Sequence, residues 1–196
     1  MSRHVRQRLA LREQIDAAEV HEAESQWHRS AVARDPPLII RAVRPSEYET
    51  AGELVVEAYR TLDDAGGAPY ERELRDIAGR RASGEVLVAE VDGRIVGCVT
   101  FVDGLTALSQ VDDPEAAFVR MLGVAAEARN RGVGEALTRE CIDRARRSGR
   151  KRVRLHTRTS MTSAQRLYER LGFRRDPDHD WSPAPDIWLL GYVLDL

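Results

Sequence analysis

The chain has 196 residues, a formal net charge of −2, and 42% hydrophobic against 32% charged residues. This length and composition suit one globular domain with its own core, and the near-neutral balance gives no reason to expect nucleic acid or an anionic membrane as partner. No apolar stretch approaches the roughly 20 residues that cross a bilayer, and no signal-peptide core follows the basic N-terminus. We expect a cytoplasmic protein without membrane or nucleic-acid partners.

Cysteine and histidine usage predicts neither a disulfide nor a metal site. Cys98 lies in a strand-like run and Cys141 on the apolar stripe of a predicted helix, so both are expected to be buried thiols. The five histidines lack the paired spacing of metal ligands. His156, within a strand-like run, is expected to be a structural residue with satisfied hydrogen bonds.

Residues 1–37 are interpreted as a charged N-terminal extension to a domain that spans residues 38–196. Leucines and alanines scattered through the extension predict a weakly amphipathic helix. Asp35-Pro36-Pro37 then breaks any helix, because proline removes a donor and restricts the residue before it. Packing on the domain, self-association and partial disorder all remain open for this extension.

The domain begins with a strand at Leu38–Val43, which two helices follow. Ser46 and Glu49 have the spacing of a capping box at the start of the first helix. A glycine-containing loop leads to the second helix, predicted at about Tyr70–Arg81 and ended by a Ser-Gly signal.

A β-hairpin is the clearest local signal in the chain. Two β-rich runs, residues 86–91 and 94–102, flank Asp92-Gly93, and this pattern predicts antiparallel strands with a tight primed turn. A polar loop, residues 103–115, then leads to the next strand, the central one, at Phe118–Val124.

A glycine turn lies where this strand gives way to a helix. Residues 129–134 read Arg-Asn-Arg-Gly-Val-Gly, and an amphipathic helix is predicted from about Gly132 to Ser148. A helix start exposes backbone N–H groups without partners and is partly positive, and glycines let that backbone approach a ligand closely. The turn is therefore interpreted as an anion site that holds a pyrophosphate.

The C-terminal third contains a strand, a helix and two further strands. A strand is predicted at Val153–Thr157, and Thr162 with Gln165 again fits a capping box. The helix that follows carries an i, i+3, i+4, i+7 apolar face and ends at Gly172. A short strand at Phe173-Arg174, a loop over residues 176–185 and a final strand over residues 187–194 complete a mixed sheet with helices on both faces.

These motifs together resemble the GCN5-related N-acetyltransferases, the GNAT superfamily. The resemblance rests on the strand, on Arg129-x-x-Gly132-x-Gly134 with its helix, and on Ala164-x-x-Leu167-Tyr168-x-x-x-Gly172-Phe173. It covers about Leu38–Leu196. It implies an α/β (α+β) GNAT fold, with a mixed, mostly antiparallel sheet of six to seven strands flanked by about four helices.

The resemblance also implies acetyl-CoA as donor, an amine as acceptor, direct attack without a covalent enzyme intermediate, and a homodimer. It places pantetheine beside the backbone of Leu122, Gly123 and Val124, where Gly123 would relax the strand and the Val124 N–H would polarise the thioester carbonyl. It implies that Tyr168 protonates the departing thiolate, since a phenol with a pKa of about 10 keeps its proton at neutral pH. The residues implied for the pyrophosphate are Arg129, Asn130, Arg131, Gly132, Val133, Gly134 and Glu135.

The general base and one cofactor contact stay open. Glu115, near the start of the central strand, is the first choice for the base, with Asp112 or Asp113 next; no family motif supports any of them. Met161 occupies the position at which many relatives have an asparagine, and Thr159, Ser160 or Ser163 are the candidates to replace its contact.

The acceptor and the activity itself also have alternatives. Loops over residues 61–70, 103–115 and 176–185 are expected to shape the acceptor pocket, and their Asp and Glu residues hint at a cationic acceptor. Two readings compete with an acetyltransferase: an acyltransferase that uses another acyl-CoA, and a catalytically silent acyl-CoA-binding sensor.

Overall fold

The computed structural model describes residues 37–60, 67–184 and 187–196. The predicted N-terminal extension lies outside the described residues, apart from Pro37, so its helix stays a prediction. The helices are α1 Tyr48–Arg60, α2 Gly67–Arg75, α3 Ile77–Ser83, α4 Val133–Arg147 and α5 Thr162–Arg170. The strands are β1 Ile39–Ala42, β2 Glu85–Val91, β3 Arg94–Asp103, β4 Ala116–Val124, β5 Arg152–Arg158, β6 Arg174–Arg175, β7 Trp181–Ala184 and β8 Ile187–Asp195.

One sheet connects all eight strands, in the order β1-β2-β3-β4-β5-β8-β6, with β7 paired to β8. β4 and β5 are parallel, and every other pair is antiparallel. This confirms the predicted mixed, mostly antiparallel sheet. In the predicted hairpin, Asp92 (φ 50°) and Gly93 (φ 72°) both lie in the left-handed region, as a primed turn requires.

Helices cover both faces of the sheet, as predicted, and β2 shows how. Leu87 and Ala89 belong to a core cluster with Val133 and Leu137 of α4. Val86 and Val88, which alternate with them, belong to a second cluster formed with α1, α2 and α3. Successive strand residues point to opposite faces, so this single strand joins both halves of the core.

Two predicted elements were wrong in detail. The single helix over residues 70–81 is two helices, because Asp76 ends α2 and its Oδ1 accepts a hydrogen bond from the Gly79 N–H (2.8 Å) as the N-cap of α3. The loop over residues 176–185 contains a 3₁₀ turn, Pro177–His179, and the strand β7. The helix and strand counts therefore exceed those expected.

Neither predicted capping box forms. Before α1, a 3₁₀ turn over Pro45–Glu47 intervenes, and the Glu47 carboxylate accepts from the Arg44 N–H at 2.8 Å. Before α5, Met161 occupies the N-cap position, and the Gln165 side-chain amide instead donates to the Arg158 carbonyl at 2.9 Å. The sequence has the capping-box spacing at both places, but each helix begins at a different residue from the one predicted.

The two cysteines are buried free thiols on opposite faces of the sheet, as predicted. Burial raises the pKa of the Cys98 thiol to about 11 and that of Cys141 further. No helix within the described residues combines the length and apolar character that a bilayer crossing requires. The same residues contain no group of three or more His, Cys, Asp or Glu side chains placed to bind a metal ion.

Candidate active site

A fork between β4 and β5 creates a large groove. The two strands pair from Ala116 with Arg152 to Val119 with Leu155, and beyond that point they separate. A groove of about 600 Å³ opens there between the end of β4, the glycine turn, α4 and α5. All the sequence-predicted site residues line this groove except Arg131 and Glu115: Leu122, Gly123, Val124, Arg129, Asn130, Gly132, Val133, Gly134, Glu135 and Tyr168.

A β-bulge in β4 lies at the fork. Cys98 pairs with Gly123 but Thr100 pairs with Arg120, so β4 carries one extra residue over this stretch. Met121 takes up the difference with φ 52°, a strained conformation for a residue with a side chain. Its sulfur lies 3.6 Å from Nη1 of Arg80, whose buried guanidinium also donates from Nη2 to the Leu74 carbonyl (2.8 Å).

The prediction that Gly123 relaxes the strand was therefore wrong: Met121 does so. Gly123 is small for another reason, because a Cβ there would lie 3.1 Å from Cα of Val55 and 3.2 Å from Cβ of Ala58. The glycine thus lets α1 pack closely on β4 beside the groove. A bulge at a methionine carries no sequence signal of its own, which is why it was missed.

The two glycines of the glycine turn are glycine for different structural reasons. Gly132 is the N-cap of α4 with φ 80°, and nothing lies within 4 Å of a Cβ built there, so its conformation and not its surroundings favours glycine. A Cβ on Gly134 would meet Leu167, Val124 and Leu122 at 3.5–3.8 Å, ordinary contact distances that would fill part of the groove. With no capping side chain at Gly132, the first turn of α4 borders the groove directly.

Charged side chains of α5 lie beside the start of α4 in the groove. Arg166 and Arg170 line the groove, and neither was predicted. Glu135, the one carboxylate in the predicted set for the turn, accepts hydrogen bonds from Arg139 (2.9 Å) and Arg170 (3.1 Å), which hold its pKa below the ordinary value. The sequence signal was the i, i+3, i+7 spacing of Ser163, Arg166 and Arg170 on one helix face.

Tyr168 contributes to both the groove and the core. Its side chain is 5% exposed, and its ring packs edge-on against Phe173 with centroids 5.8 Å apart. Burial raises the pKa of the phenol well above 10, so the hydroxyl holds its proton at neutral pH. Ser160, Met161 and Ser163 border the same groove, which leaves two of the three candidates for the missing asparagine contact in place.

A second, smaller cavity lies where β4 and β5 begin to separate. It measures about 40 Å³ and shares Tyr59 and Met161 with the groove. Side chains from several separate elements line it, and the sequence indicated no such cluster: Tyr59, Tyr70, Gln110, Arg120, His156 and Arg158. We call it the fork pocket.

The fork pocket has a rigid polar wall. The rings of Tyr59 and Tyr70 meet edge to face with centroids 5.9 Å apart, and Cζ of Arg158 lies 5.8 Å from the Tyr70 ring centroid. His156 is held on both sides, with Nδ1 2.9 Å from Oε1 of Gln110 and Nε2 2.8 Å from the His179 carbonyl. Both ring nitrogens thus have polar partners, as expected for a structural residue, and burial lowers the pKa of the imidazole.

The acidic candidates for a general base lie elsewhere. Glu115 precedes β4 at the end opposite the groove, where its carboxylate meets Arg152 at 3.3 Å and its carbonyl accepts from the Lys151 N–H. Asp113, beside it, accepts from Arg152 (2.9 Å) and Arg154 (2.7 Å). The structure therefore does not bring Glu115 or Asp113 to the groove or the fork pocket.

Several acids behind the predicted cationic acceptor are paired within the fold, while those of residues 61–66 lie outside the described residues. Acidic side chains of the two described loops pair with arginines: Asp103 with Arg150 at 2.6 Å, and Asp180 with Arg175 at 2.8 Å. Asp176 likewise pairs with Arg154. Their charges are compensated within the fold and are not available to attract a cationic substrate.

Comparison with known families settles the class of protein. A model described as the acetyltransferase (GNAT) family matches residues 50–173, more than half of the chain. The chain belongs to the GNAT acetyltransferase family. The GNAT match runs from α1 to Phe173, so it includes the bulge, the glycine turn and Tyr168.

Individual relatives agree with this assignment. Mycothiol acetyltransferase from Sanguibacter keddieii is 32% identical over 146 residues, which cover 71% of this chain and 44% of that protein. The Xenopus laevis protein camello is 38% identical over 88 residues, 45% of this chain and 37% of its own. The matched regions thus span less than half the length of these curated relatives.

Solved structures show the same fold. A GNAT-family acetyltransferase from Staphylococcus aureus superimposes with a TM-score of 0.66 at 19% identity, covering 82% of this chain and 99% of its own. A Salmonella typhimurium protein solved with its cofactor acetyl-CoA superimposes with a TM-score of 0.62 at 20% identity, covering 81% and 94%.

Proposed function

We propose that residues 38–196 form an acetyl-CoA-dependent N-acetyltransferase domain that acetylates a primary amine by direct attack. One observation carries the proposal: the groove brings a bare helix start, the end of β4 beyond its bulge and a protonated, buried tyrosine to one cavity. GNAT membership and a fold neighbour that holds acetyl-CoA support it. The cytoplasmic location, the homodimer and the N-terminal extension accompany it as untested predictions.

The groove fits acetyl-CoA chemically. The N–H groups at the start of α4 and the guanidinium of Arg166 suit a pyrophosphate, and Arg170, which also pairs with Glu135, lies beside them. The space that a side chain at Gly134 would fill is left open for it. Beyond the bulge, the backbone of Leu122, Gly123 and Val124 borders the groove and would meet the pantetheine arm.

Bound acetyl-CoA would supply the acetyl group as a thioester: its C–S bond breaks, an amide bond to the acceptor nitrogen forms, and the sulfur leaves with a proton. Tyr168 is the group that holds such a proton in the groove at neutral pH, because burial disfavours its phenolate. The backbone N–H of Val124 stays our choice for the donor to the thioester carbonyl.

Glu115 is not carried into this proposal, because its carboxylate lies at the far end of β4. The fork pocket meets the need for a neutral amine differently. Arg120 and Arg158 line it, and nearby positive charge disfavours the ammonium form of an amine, which lowers the pKa of that amine. The acceptor nitrogen would then attack in its neutral form.

Replacing Tyr168 with Phe tests the proposal against a silent acyl-CoA sensor. We expect Tyr168→Phe to lower kcat for CoA release by about 10²- to 10⁴-fold, the usual contribution of a general acid, with acetyl-CoA affinity by calorimetry within about twofold. The sensor alternative predicts binding of acetyl-CoA without CoA release by the unaltered protein on any amine. Comparing acetyl-CoA with longer acyl-CoA donors decides the remaining alternative.

A further inference from the structure

Arg80, on α3, is a buried cation whose hydrogen-bond partners among the described residues are neutral. Its side chain is 2% exposed, and its guanidinium donates to the Leu74 carbonyl at 2.8 Å, to Oγ1 of Thr100 at 3.2 Å and to the Met121 sulfur at 3.6 Å. It also hydrogen-bonds with the Cys98 thiol, and burial lowers the pKa of this arginine. A buried charge with such partners is costly compared with an apolar side chain of similar size, so a role in stability alone does not account for it.

Three of these partners lie at the bulge of β4. Cys98 and Thr100 are the β3 residues on either side of the register shift, and Met121 is the β4 residue that takes it up with φ 52°. A positive φ at a residue with a side chain persists only where its surroundings hold it. Arg80 contacts both strands at this point, and through the Leu74 carbonyl it connects them to α2.

The bulge decides which way the groove residues face. Val119 and Leu122 are three residues apart, and in a regular strand they would face opposite sides of the sheet. Instead both pack on the core cluster beside α4, while Met121 between them belongs to the cluster on the other face. The extra residue thus reorients the end of β4, residues 122–124, which borders the groove.

We propose that Arg80 is a positioning residue for the acetyl donor. It holds the bulge at Met121 and thereby fixes the backbone of residues 122–124 in the orientation that meets acetyl-CoA. Arg80 lines neither cavity, so it acts through Met121 and Thr100 and not on the ligand. This deepens the proposed function and rests on its donor half, the binding of acetyl-CoA in the groove.

The test is a double-mutant cycle on the full chain, with acetyl-CoA affinity measured by calorimetry. We expect Arg80→Met to weaken acetyl-CoA binding about tenfold, because the strained bulge loses the contacts that hold it. In the Met121→Gly variant, the same substitution should weaken binding less than about threefold, because glycine adopts a positive φ without strain. KM for acetyl-CoA should follow the same pattern.

Val43→Ala is the matched control, since Val43 is buried in the same core cluster as Met121 but lines neither cavity. It should lower the melting temperature and leave acetyl-CoA affinity within about twofold. Should Arg80→Met fail to fold, Thr100→Val replaces it, because it removes one acceptor of Arg80 and keeps a branched side chain of similar size. It should weaken acetyl-CoA binding about threefold in the unaltered background and by no measurable amount in Met121→Gly.

The outcomes separate the two proposals. An unchanged affinity in Arg80→Met, equal losses in the two backgrounds, or a similar loss in Val43→Ala would overturn the positioning role and leave the acetyltransferase proposal standing. Acetyl-CoA binding without CoA release on any acceptor overturns the proposed function and leaves the positioning role standing, because affinity alone reports that role. A protein that does not bind acetyl-CoA overturns both.

Discussion

The donor groove and the fork pocket adjoin one another but are built in different ways. The groove is largely a backbone structure, made of a strand end, a turn and a helix start that are contiguous in sequence from Leu122 to Glu135. The fork pocket is a side-chain structure, assembled from residues on α1, α2, β4, β5 and the loop before β4. A site built from backbone can be detected in the sequence by its glycines and their spacing. A site built from side chains cannot, because it depends on which elements the fold brings together.

Both cavities depend on the paired ends of β4 and β5. Removing the ion pairs at that end should have the largest effect on stability. Asp113→Asn removes charge-assisted hydrogen bonds to Arg152 and Arg154, and we expect a loss of about 1.5–3 kcal/mol in the free energy of unfolding at pH 7. Burial of the Asp113 carboxyl opposes ionisation, but the two arginines outweigh it and hold its pKa below the ordinary value.

That direction predicts a pH dependence. A carboxylate with a lowered folded pKa stabilises above its unfolded pKa of about 3.9, and this contribution is lost as pH falls through the folded value. Urea unfolding at pH 7 and at pH 3 should therefore show a smaller acid-induced loss in Asp113→Asn than in the unaltered protein. An equal loss would contradict the assignment.

The two glycines of the turn should separate stability from donor binding. Gly134→Ala should raise the unfolding free energy by about 0.5–1 kcal/mol yet weaken acetyl-CoA binding about tenfold, because the methyl group occupies the groove. Gly132→Ala should instead lower stability by about 1–2 kcal/mol, since its φ of 80° is unfavourable for alanine. Calorimetry measures the acetyl-CoA affinity of the two variants, and thermal unfolding measures their stability. A stability change of the same sign in Gly132→Ala and Gly134→Ala would refute the different reasons assigned to the two glycines.

Tyr70→Phe should affect acceptor use alone. The Tyr70 hydroxyl is hydrogen-bonded with Tyr59 in the fork pocket, so its loss should raise acceptor KM about threefold to tenfold, equivalent to about 0.5–1.5 kcal/mol. Acetyl-CoA affinity should not change. Tyr48→Phe is the control, because its hydroxyl accepts from Arg81 outside both cavities; an equal change there would assign the effect to general packing.

Glu115→Gln should have the smallest effect. The carboxylate is more than half exposed and pairs with Arg152 at 3.3 Å, and such surface pairs contribute about 0–1 kcal/mol. We expect kcat/KM within about twofold of the unaltered protein across pH 6–9. A large fall in kcat, concentrated at low pH, would restore Glu115 as the general base.

The elements that form the groove could be predicted from the sequence because short-range spacing determines them. The Asp92-Gly93 hairpin, the glycine turn and the helix that carries Tyr168 each follow from short-range spacing, and all three are present. The location of the bulge was not accessible. A positive φ at Met121 results from the register between β3 and β4, which pattern and propensity do not report.

The fork pocket was inaccessible from sequence for a related reason. Tyr59, Arg120, His156 and Arg158 share no motif and meet because β4 and β5 separate beneath α1 and α2. The acidic loops show a further limit: their charges are apparent in sequence, but the partner of Asp103 is Arg150, 47 residues away. Net composition could not show which charges the fold had already neutralised.

The ion pairs described above are made by arginine, and Lys151 is the single lysine among the 30 Lys and Arg residues of the sequence. A guanidinium keeps its charge and offers no free amine to an acyl donor, whereas acetylation of a lysine removes its charge and its pairing. A fold that keeps an acetyl thioester in its own groove thereby protects its electrostatic framework from the reagent it handles. Incubation with acetyl-CoA should acetylate no lysine side chain other than Lys151, and mass spectrometry of proteolytic peptides would locate the adduct.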